Sequence, residues 1–299
     1  MSEDLADLFP GFEAHHVDTP AGRIFARAGG EGPPLLLLHG FPQTGVMWHR
    51  VAHALARTHR VVIADLPGYG WSAAPEPGRD HAPYSKRAMG AALVAMMEQL
   101  GHAHFALIGH DRGGRAAYRL ALDHEGRVDR LALLDIAPTL SAWRSMDRAR
   151  AMKSYHWTFL AQPHPFPETL IGGNPRFYLD WTLKAWSGAD DLSLFDPRAL
   201  AHYRAAFGSP DHIRGACEDY RAGATIDLAH DEADLAAGRT IACPVLVLWG
   251  ARGSVSTGPL ESWRAFAPKL AGQPIQAGHY LCEEAPDEVL AALKPFLAA

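Results

Sequence analysis

The run ALIGHDRGGRAAYRL, residues 106–120, places a histidine, a carboxylate and two arginines between a short apolar stretch and a helix-like one. The apolar residues read as a strand, the glycines as a sharp turn, and the remainder as a helix start. That is the setting of a G-x-S-x-G nucleophile elbow, yet the centre of Gly109-His110-Asp111-Arg112-Gly113 is aspartate. Serine suits acyl transfer, because its ester can be hydrolysed back to the hydroxyl. Serine attacking a saturated carbon would give an ether, with no carbonyl left for water. Aspartate gives an ester whose carbonyl belongs to the protein, so water can release the product. Asp111 therefore points to displacement at saturated carbon, such as a carbon–halogen bond or an epoxide. An aspartate here could instead cap the following helix; the partners around it favour the nucleophile.

Ester hydrolysis needs a base. In IQAGHYLCEEAPDEV, His279 follows a glycine near the end of the chain, after the nucleophile in the order such triads use, although a surface-loop histidine would look similar. The histidine in turn needs a carboxylate to fix its tautomer. The loop after PVLVLWG, a frequent place for it, reads ARGSVSTGPL and holds no acid, so the role passes to Asp135 at the end of RLALLDIAP. Asp135 could otherwise be a cap or turn residue. Donors for the oxyanion are expected from the backbone N–H of Phe41, in HGFPQ, and of Arg112. The Phe41 ring could serve the core at the same time. Arg112 and Arg115 could pair with acids elsewhere, the ordinary fate of an arginine. Beside an elbow they suit a substrate carboxylate, through charge-assisted, often bidentate bonds. A small 2-halo acid fits them better than a haloalkane.

The elements that must position these residues alternate. FEAHHVDTPAGRIFARAGG reads as a hairpin. Apolar strands follow in PPLLLLHGFPQ, RVVIADLPGYGWS, HFALIGHD and RLALLDIAP, with helices between them over 85–100 and 114–124. Such alternation indicates an α/β protein with a largely parallel sheet covered on both faces. It stops near Pro138 and resumes at CPVLVLWG, residues 243–250, with a short strand near 273–277 and a last helix after Pro286. The stretch between, 139 to about 236, is helix-like and holds 13 of the chain's 28 Phe, Trp and Tyr residues, so it reads as an inserted lid that lines something.

The 299 residues are 48% hydrophobic and 20% charged, enough to build one large core. A formal charge of −5 gives no reason for a nucleic-acid or anionic-membrane partner. MSEDLADLFPGFEAHH lacks the basic start and apolar run of a signal peptide, and no apolar run is long enough to span a membrane, so a cytoplasmic protein is expected. Three scattered cysteines suggest neither disulfides nor a zinc site, and the 17 histidines lack metal-binding spacing.

LLLLHGFPQT, VIADLPGYGWS, HDRGGR, LLDIAPT, YHWTFLAQP, CEDYRAG and AGHYLCEEAP together resemble the fluoroacetate (haloacetate) dehalogenase family of the α/β-hydrolase superfamily across nearly the whole chain. HGFP and D-L-P-G-Y-G-x-S are shared with epoxide hydrolases; the combination of HDRxxR with Y-H-W and E-D-Y-R is much more specific. The resemblance implies the α/β-hydrolase fold, with a core of residues 1–138 and 237–299 and a helical cap, 139–236, inserted after strand 6. It implies Asp111 as nucleophile, His279 as base and Asp135 as its acid, with Arg112 and Arg115 on the substrate carboxylate. It further implies His156, Trp157 and Tyr220 as donors to the departing halide, with Trp186 lining the pocket. The His156-Trp157 pair could instead be lid packing. The implied reaction, fluoroacetate to glycolate, needs no cofactor or metal, and the implied assembly is a homodimer. An epoxide hydrolase, with Tyr155, Tyr178, Tyr203 and Tyr220 available as acids, and a non-catalytic binding protein of the same fold are the competing readings.

Overall fold

The computed structural model describes residues 5–189, 191–253 and 258–298. Part of the acid-free loop, residues 254–257, and the ends of the expected core, residues 1–4 and 299, lie outside them, as does residue 190 of the expected cap. A hairpin of β1 (Glu13–Thr19) and β2 (Gly22–Gly29) leads into β3 (Pro34–Leu38), α1 (His49–Leu55) and β4 (Arg60–Ala64). Then come α2 (Lys86–Gln99), β5 (Phe105–His110), α3 (Asp111–Asp123) and β6 (Val128–Leu134). Helices alone follow: α4 (Thr139–Arg144), α5 (Arg148–Lys153), α6 (Tyr155–Leu160), α7 (Phe166–Gly172), α8 (Pro175–Trp186), α9 (Pro197–Phe207), α10 (Pro210–Gly223) and α11 (Ile226–Ala236). The sheet resumes with β7 (Val245–Gly250), α12 (Leu260–Trp263) and β8 (Leu270–Ile275), and the chain closes with α13 (Leu281–Glu284) and α14 (Pro286–Ala298).

This is the α/β-hydrolase fold. The eight strands lie in the order β1-β2-β4-β3-β5-β6-β7-β8, antiparallel at β1–β2 and β2–β4 and parallel elsewhere. Every residue of β5 and β7 is buried, which is why these strands read as unbroken apolar runs. The edge strand β1 alternates and is mostly exposed. Helix α2 packs on α3, and α1 packs on α14. Prolines open α8, α9 and α10, where a missing N–H costs nothing, and Ser85, Asp147 and Asn174 cap α2, α5 and α8.

Register fixes the site. Leu38 pairs with Gly109, His110 with Leu134, and Leu134 with Leu248, so β3, β5, β6 and β7 end level. The chain runs from β3 outward to β4, then crosses back to β5 on the other side of β3. Ligands of open α/β sheets bind at such a reversal, beyond the carboxyl ends of the strands. The helical cap closes over this edge and is locked to α3. Arg119 of α3 meets both Asp231 and Asp234 of α11, and the Tyr118 hydroxyl donates to Asp231.

Two elements differ from expectation. The helix expected from residue 114 begins at Asp111, because no loop separates β5 from α3. The glycines permit that contact. A Cβ on Gly113 would lie 2.2 Å from the His39 carbonyl oxygen, and one on Gly109 would lie 2.6 Å from that of Gly113. The last strand, expected at 273–277, is Leu270–Ile275. As an edge strand it tolerates Gly272 and Pro274, which blur its pattern.

Candidate active site

Asp111 is the first residue of α3 and sits in left-handed backbone, φ 47°. For a non-glycine residue this conformation is strained and is characteristic of functional turns. It turns the side chain off the sheet edge, where the residue is 7% exposed. The backbone N–H of Phe41 donates to Asp111 Oδ1 at 2.9 Å. Gly40 makes that approach possible, since a Cβ there would lie 2.4 Å from the Asp111 Cβ. Oδ2 has no hydrogen bond among the described residues. Burial pushes the carboxyl upward, but the charges of His279, Arg112 and Arg115 outweigh it and hold Asp111 below its usual range, so it is ionised. The N–H of Arg112, the other expected oxyanion donor, is a first-turn group without a helical partner.

Asp135 follows β6, again in left-handed backbone at φ 52°. Its Oδ1 accepts from the Gly250 N–H at 2.8 Å and its Oδ2 accepts from His279 Nδ1 at 2.6 Å. Two strand ends thus fix the carboxylate that fixes the histidine. Among the described residues, His279 Nε2 is buried without a partner. Burial lowers the affinity of His279 for a proton, but the hydrogen bond and charge of Asp135, then the charges of Asp111 and Glu284, raise it above the ordinary imidazole value. His110, not singled out from the sequence, has its ring centre 4.6 Å from that of His279, tilted by 47°, and bonds its carbonyl oxygen at 2.9 Å. Burial and the charge of His279 push His110 down to about 3, so it adds no charge there.

The two arginines are placed differently. Arg115 lines the cavity, and its Nη1 donates to the Ala137 carbonyl at 3.1 Å and the Thr139 hydroxyl at 3.0 Å. Its buried Nε has no partner, and none of the ion pairs among the described residues involves it. Arg112 is already paired. Its Nε and Nη2 grip Asp219 of α10 at 2.9 and 2.6 Å, its Cζ lies 4.3 Å from the Tyr220 ring centre, and it is not in the cavity wall. Asp219 also accepts from the buried Lys86 and, at 2.7 Å, from the Tyr69 hydroxyl. Burial opposes the charge on Asp219, but Arg112 and Lys86 hold its carboxyl far below the usual range. The sequence offered one signal for Asp219, its place beside Tyr220 in CEDYRAG, and none for Lys86.

His156, Trp157 and Tyr220 come together from α6 and α10. Ring centres of His156 and Tyr220 are 5.7 Å apart and those of Trp157 and Tyr220 6.4 Å apart. His156 Nδ1 and the Tyr220 hydroxyl are buried without partners among the described residues. Burial pushes His156 down to about 3, leaving it neutral, and holds the Tyr220 proton well beyond its ordinary range. Trp186 packs 4.2 Å from His156 and accepts the His279 backbone N–H at 3.0 Å, tying cap to base. An unpaired buried polar group costs about 1–3 kcal/mol. His279 Nε2, His156 Nδ1, Tyr220 Oη and Arg115 Nε are four such groups in one neighbourhood.

They surround a cavity of about 480 Å³ under the cap, lined by Asp111, Arg115, His156, Trp157, Trp186 and His279 among others. Tyr220 stands behind this wall, 5.4 Å from the Phe41 ring centre. Among the described residues no three His, Cys, Asp or Glu side chains are grouped to hold a metal ion, and no helix is long and apolar enough to cross a membrane.

A family model of the alpha/beta hydrolase fold matches residues 33–286. The chain is 44% identical to a fluoroacetate dehalogenase of Burkholderia sp, over 97% of this chain and 95% of that one. It is 30% identical to a soluble epoxide hydrolase of Corynebacterium sp. (strain C12), over 97% and 96%. A crystal structure from Nostoc sp PCC 7120, described as an alpha/beta hydrolase, is similar with a TM-score of 0.93 and 50% identity, covering 96% of this chain and 98% of that one.

Proposed function

Because the chain belongs to the alpha/beta-hydrolase family, and within it to the fluoroacetate dehalogenases, we propose that it hydrolyses the carbon–halogen bond of small 2-halo acids through an ester on Asp111. The observation that carries this is the ionised Asp111, with Oδ1 held by Phe41 and Oδ2 free at a cavity that also holds an arginine without a carboxylate partner. The substrate carboxylate sits at Arg115, and Oδ2 attacks the α-carbon from the side opposite the halogen. A carbon–oxygen bond forms, the carbon–halogen bond breaks, and the halide leaves with the electron pair. His156, Trp157 and Tyr220 donate to that halide. Fluoride is small and strongly hydrated, so replacement donors matter most for it.

Water then attacks Cγ of the ester and gives its proton to His279 Nε2. The Phe41 N–H, already on Oδ1, stabilises the oxyanion there, aided by the N–H of Arg112. Collapse breaks the Cγ–Oδ2 bond, Oδ2 takes the proton back from His279, the 2-hydroxy acid leaves carrying Oδ2, and the Asp111 carboxyl gives up water's second proton. Water's oxygen stays in Asp111, and one proton and one halide are released per turnover. Arg112 supports this step indirectly. Anchored by Asp219, it adds positive charge beside the nucleophile.

Epoxide hydrolysis shares the nucleophile and base, and Tyr155 and Tyr220 could protonate an epoxide oxygen. A neutral epoxide, however, would leave Arg115 buried without a counter-ion, which a carboxylate avoids. The deciding experiment offers fluoroacetate, chloroacetate and a simple epoxide to the enzyme and to its Asp111→Asn variant. Halide release that depends on Asp111 supports the haloacid reading; diol formation without halide release favours the epoxide. A cytoplasmic homodimer remains part of the proposal. The exposed Phe166, Leu170, Phe177 and Trp181 on α7 and α8 provide an apolar face for it.

A further inference from the structure

The cavity is larger than a haloacetate needs. Such a molecule has five non-hydrogen atoms, and at about 30 Å³ for each water-sized group it fills at most roughly 150 Å³. About 480 Å³ is present. The buried Asp111, Arg115, His156 and His279 mark the inner end. The outer wall includes Arg150, Met152 and Lys153 of α5 and Arg252 after β7. Helix α5 buries none of its residues, and Met152 is 76% exposed, so this end faces solvent.

The charges are unequally matched. Asp111 and Asp135 are the only carboxylates in the wall among the described residues, and Asp135 is committed to His279. Arg252 has Glu284 3.7 Å away. Arg150 donates to the Ser145 hydroxyl, and no carboxylate pairs with Arg150 or Lys153 among the described residues. An apolar tail on the substrate would lie against two cations and gain little from them.

We propose that the chain acts on 2-halo acids bearing a second, distal anionic group. The proposal rests on the haloacid reading of Asp111 and extends it. The α-carboxylate lies at Arg115, the α-carbon at Asp111, and the substituent runs outward until its carboxylate meets Arg150 and Lys153. Displacement and hydrolysis proceed as for a haloacetate, and the product is a 2-hydroxy dicarboxylate.

The test measures bromide release from bromoacetate, from 2-bromosuccinate and 2-bromoadipate, and from the 2-bromoalkanoates of equal carbon number. In the wild type at least one dianion should exceed its monoanionic match in kcat/KM by about tenfold, and Arg150→Gln combined with Lys153→Gln should bring that ratio near one. The ratio is internal to each protein, so a partly misfolded variant does not mimic the effect. Equal or poorer use of every dianion in the wild type overturns the proposal. So does a variant that slows both members of each pair alike, which would be general attraction of anions. Turnover of bromoacetate alone leaves the haloacid reading standing and removes the extension; no bromide from any of these acids removes both.

Discussion

The two oxygens of Asp111 are not equivalent: Phe41 holds Oδ1 while Oδ2 is free. In the proposed mechanism the attacking atom and the future oxyanion are thus separated before substrate arrives. Asp111→Ala should reduce steady turnover by at least about 10⁴-fold in a halide-release assay. His279→Ala should still alkylate, and intact-mass measurement should find the protein heavier by the substrate's carboxymethyl group; normal turnover by this variant would remove His279 from its role. The pH dependence has a definite sign. His279 must be neutral to accept water's proton, so activity falls as pH drops through its raised pKa. In the ester Asp111 carries no charge, and one of the causes raising His279 is gone. The acid limb of ester hydrolysis should therefore lie at lower pH than the titration of His279 in the free enzyme, compared by kinetics and by NMR. His156→Phe should cost about 10²–10³-fold with fluoroacetate and less with bromoacetate, because bromide needs the donors less. At this scale residue types and chain order were informative: they singled out Asp111, Asp135 and His279, which the fold brings to one cavity. The pairing of Arg112 with Asp219 did not, because a contact between side chains 107 positions apart leaves no local pattern.

Elements decide whether those side chains converge. The β5–α3 junction works because Gly113 lies against the end of β3, with the Leu38 carbonyl oxygen 2.6 Å from where a Cβ would be. Gly113→Ala must move backbone, so it should destabilise the fold by about 3 kcal/mol in denaturant titrations and weaken turnover by shifting Asp111. Helix α11 secures the cap through Asp231, which accepts from Arg119, Tyr118 and the Leu140 N–H. Asp231→Ala strands all three donors and should cost about 2–4 kcal/mol, read the same way. Apolar runs and glycine turns made the strands legible. Element ends were less so, since α3 begins inside the motif and β8 carries glycine and proline.

For the molecule as a whole, a chain of net charge −5 surrounds a cavity whose outer wall carries Arg150, Lys153 and Arg252. The overall charge read from composition therefore says little about the substrate, and the local field says more. Strand order was likewise hidden, because the crossing from β4 back to β5 depends on which strand ends pair and not on any segment's pattern. If the apolar face of α7 and α8 joins two copies, sedimentation should give a dimer, and Leu170→Asp with Phe177→Asp should shift it to monomer. The most direct measurement is a single turnover of fluoroacetate in heavy-oxygen water with enzyme in excess. Attack by Asp111 predicts glycolate whose new hydroxyl oxygen is unlabelled, with the label in the peptide containing Asp111. Labelled glycolate in that first turnover, with no label in the protein, would mean that water attacks carbon directly and would contradict the aspartyl-ester mechanism.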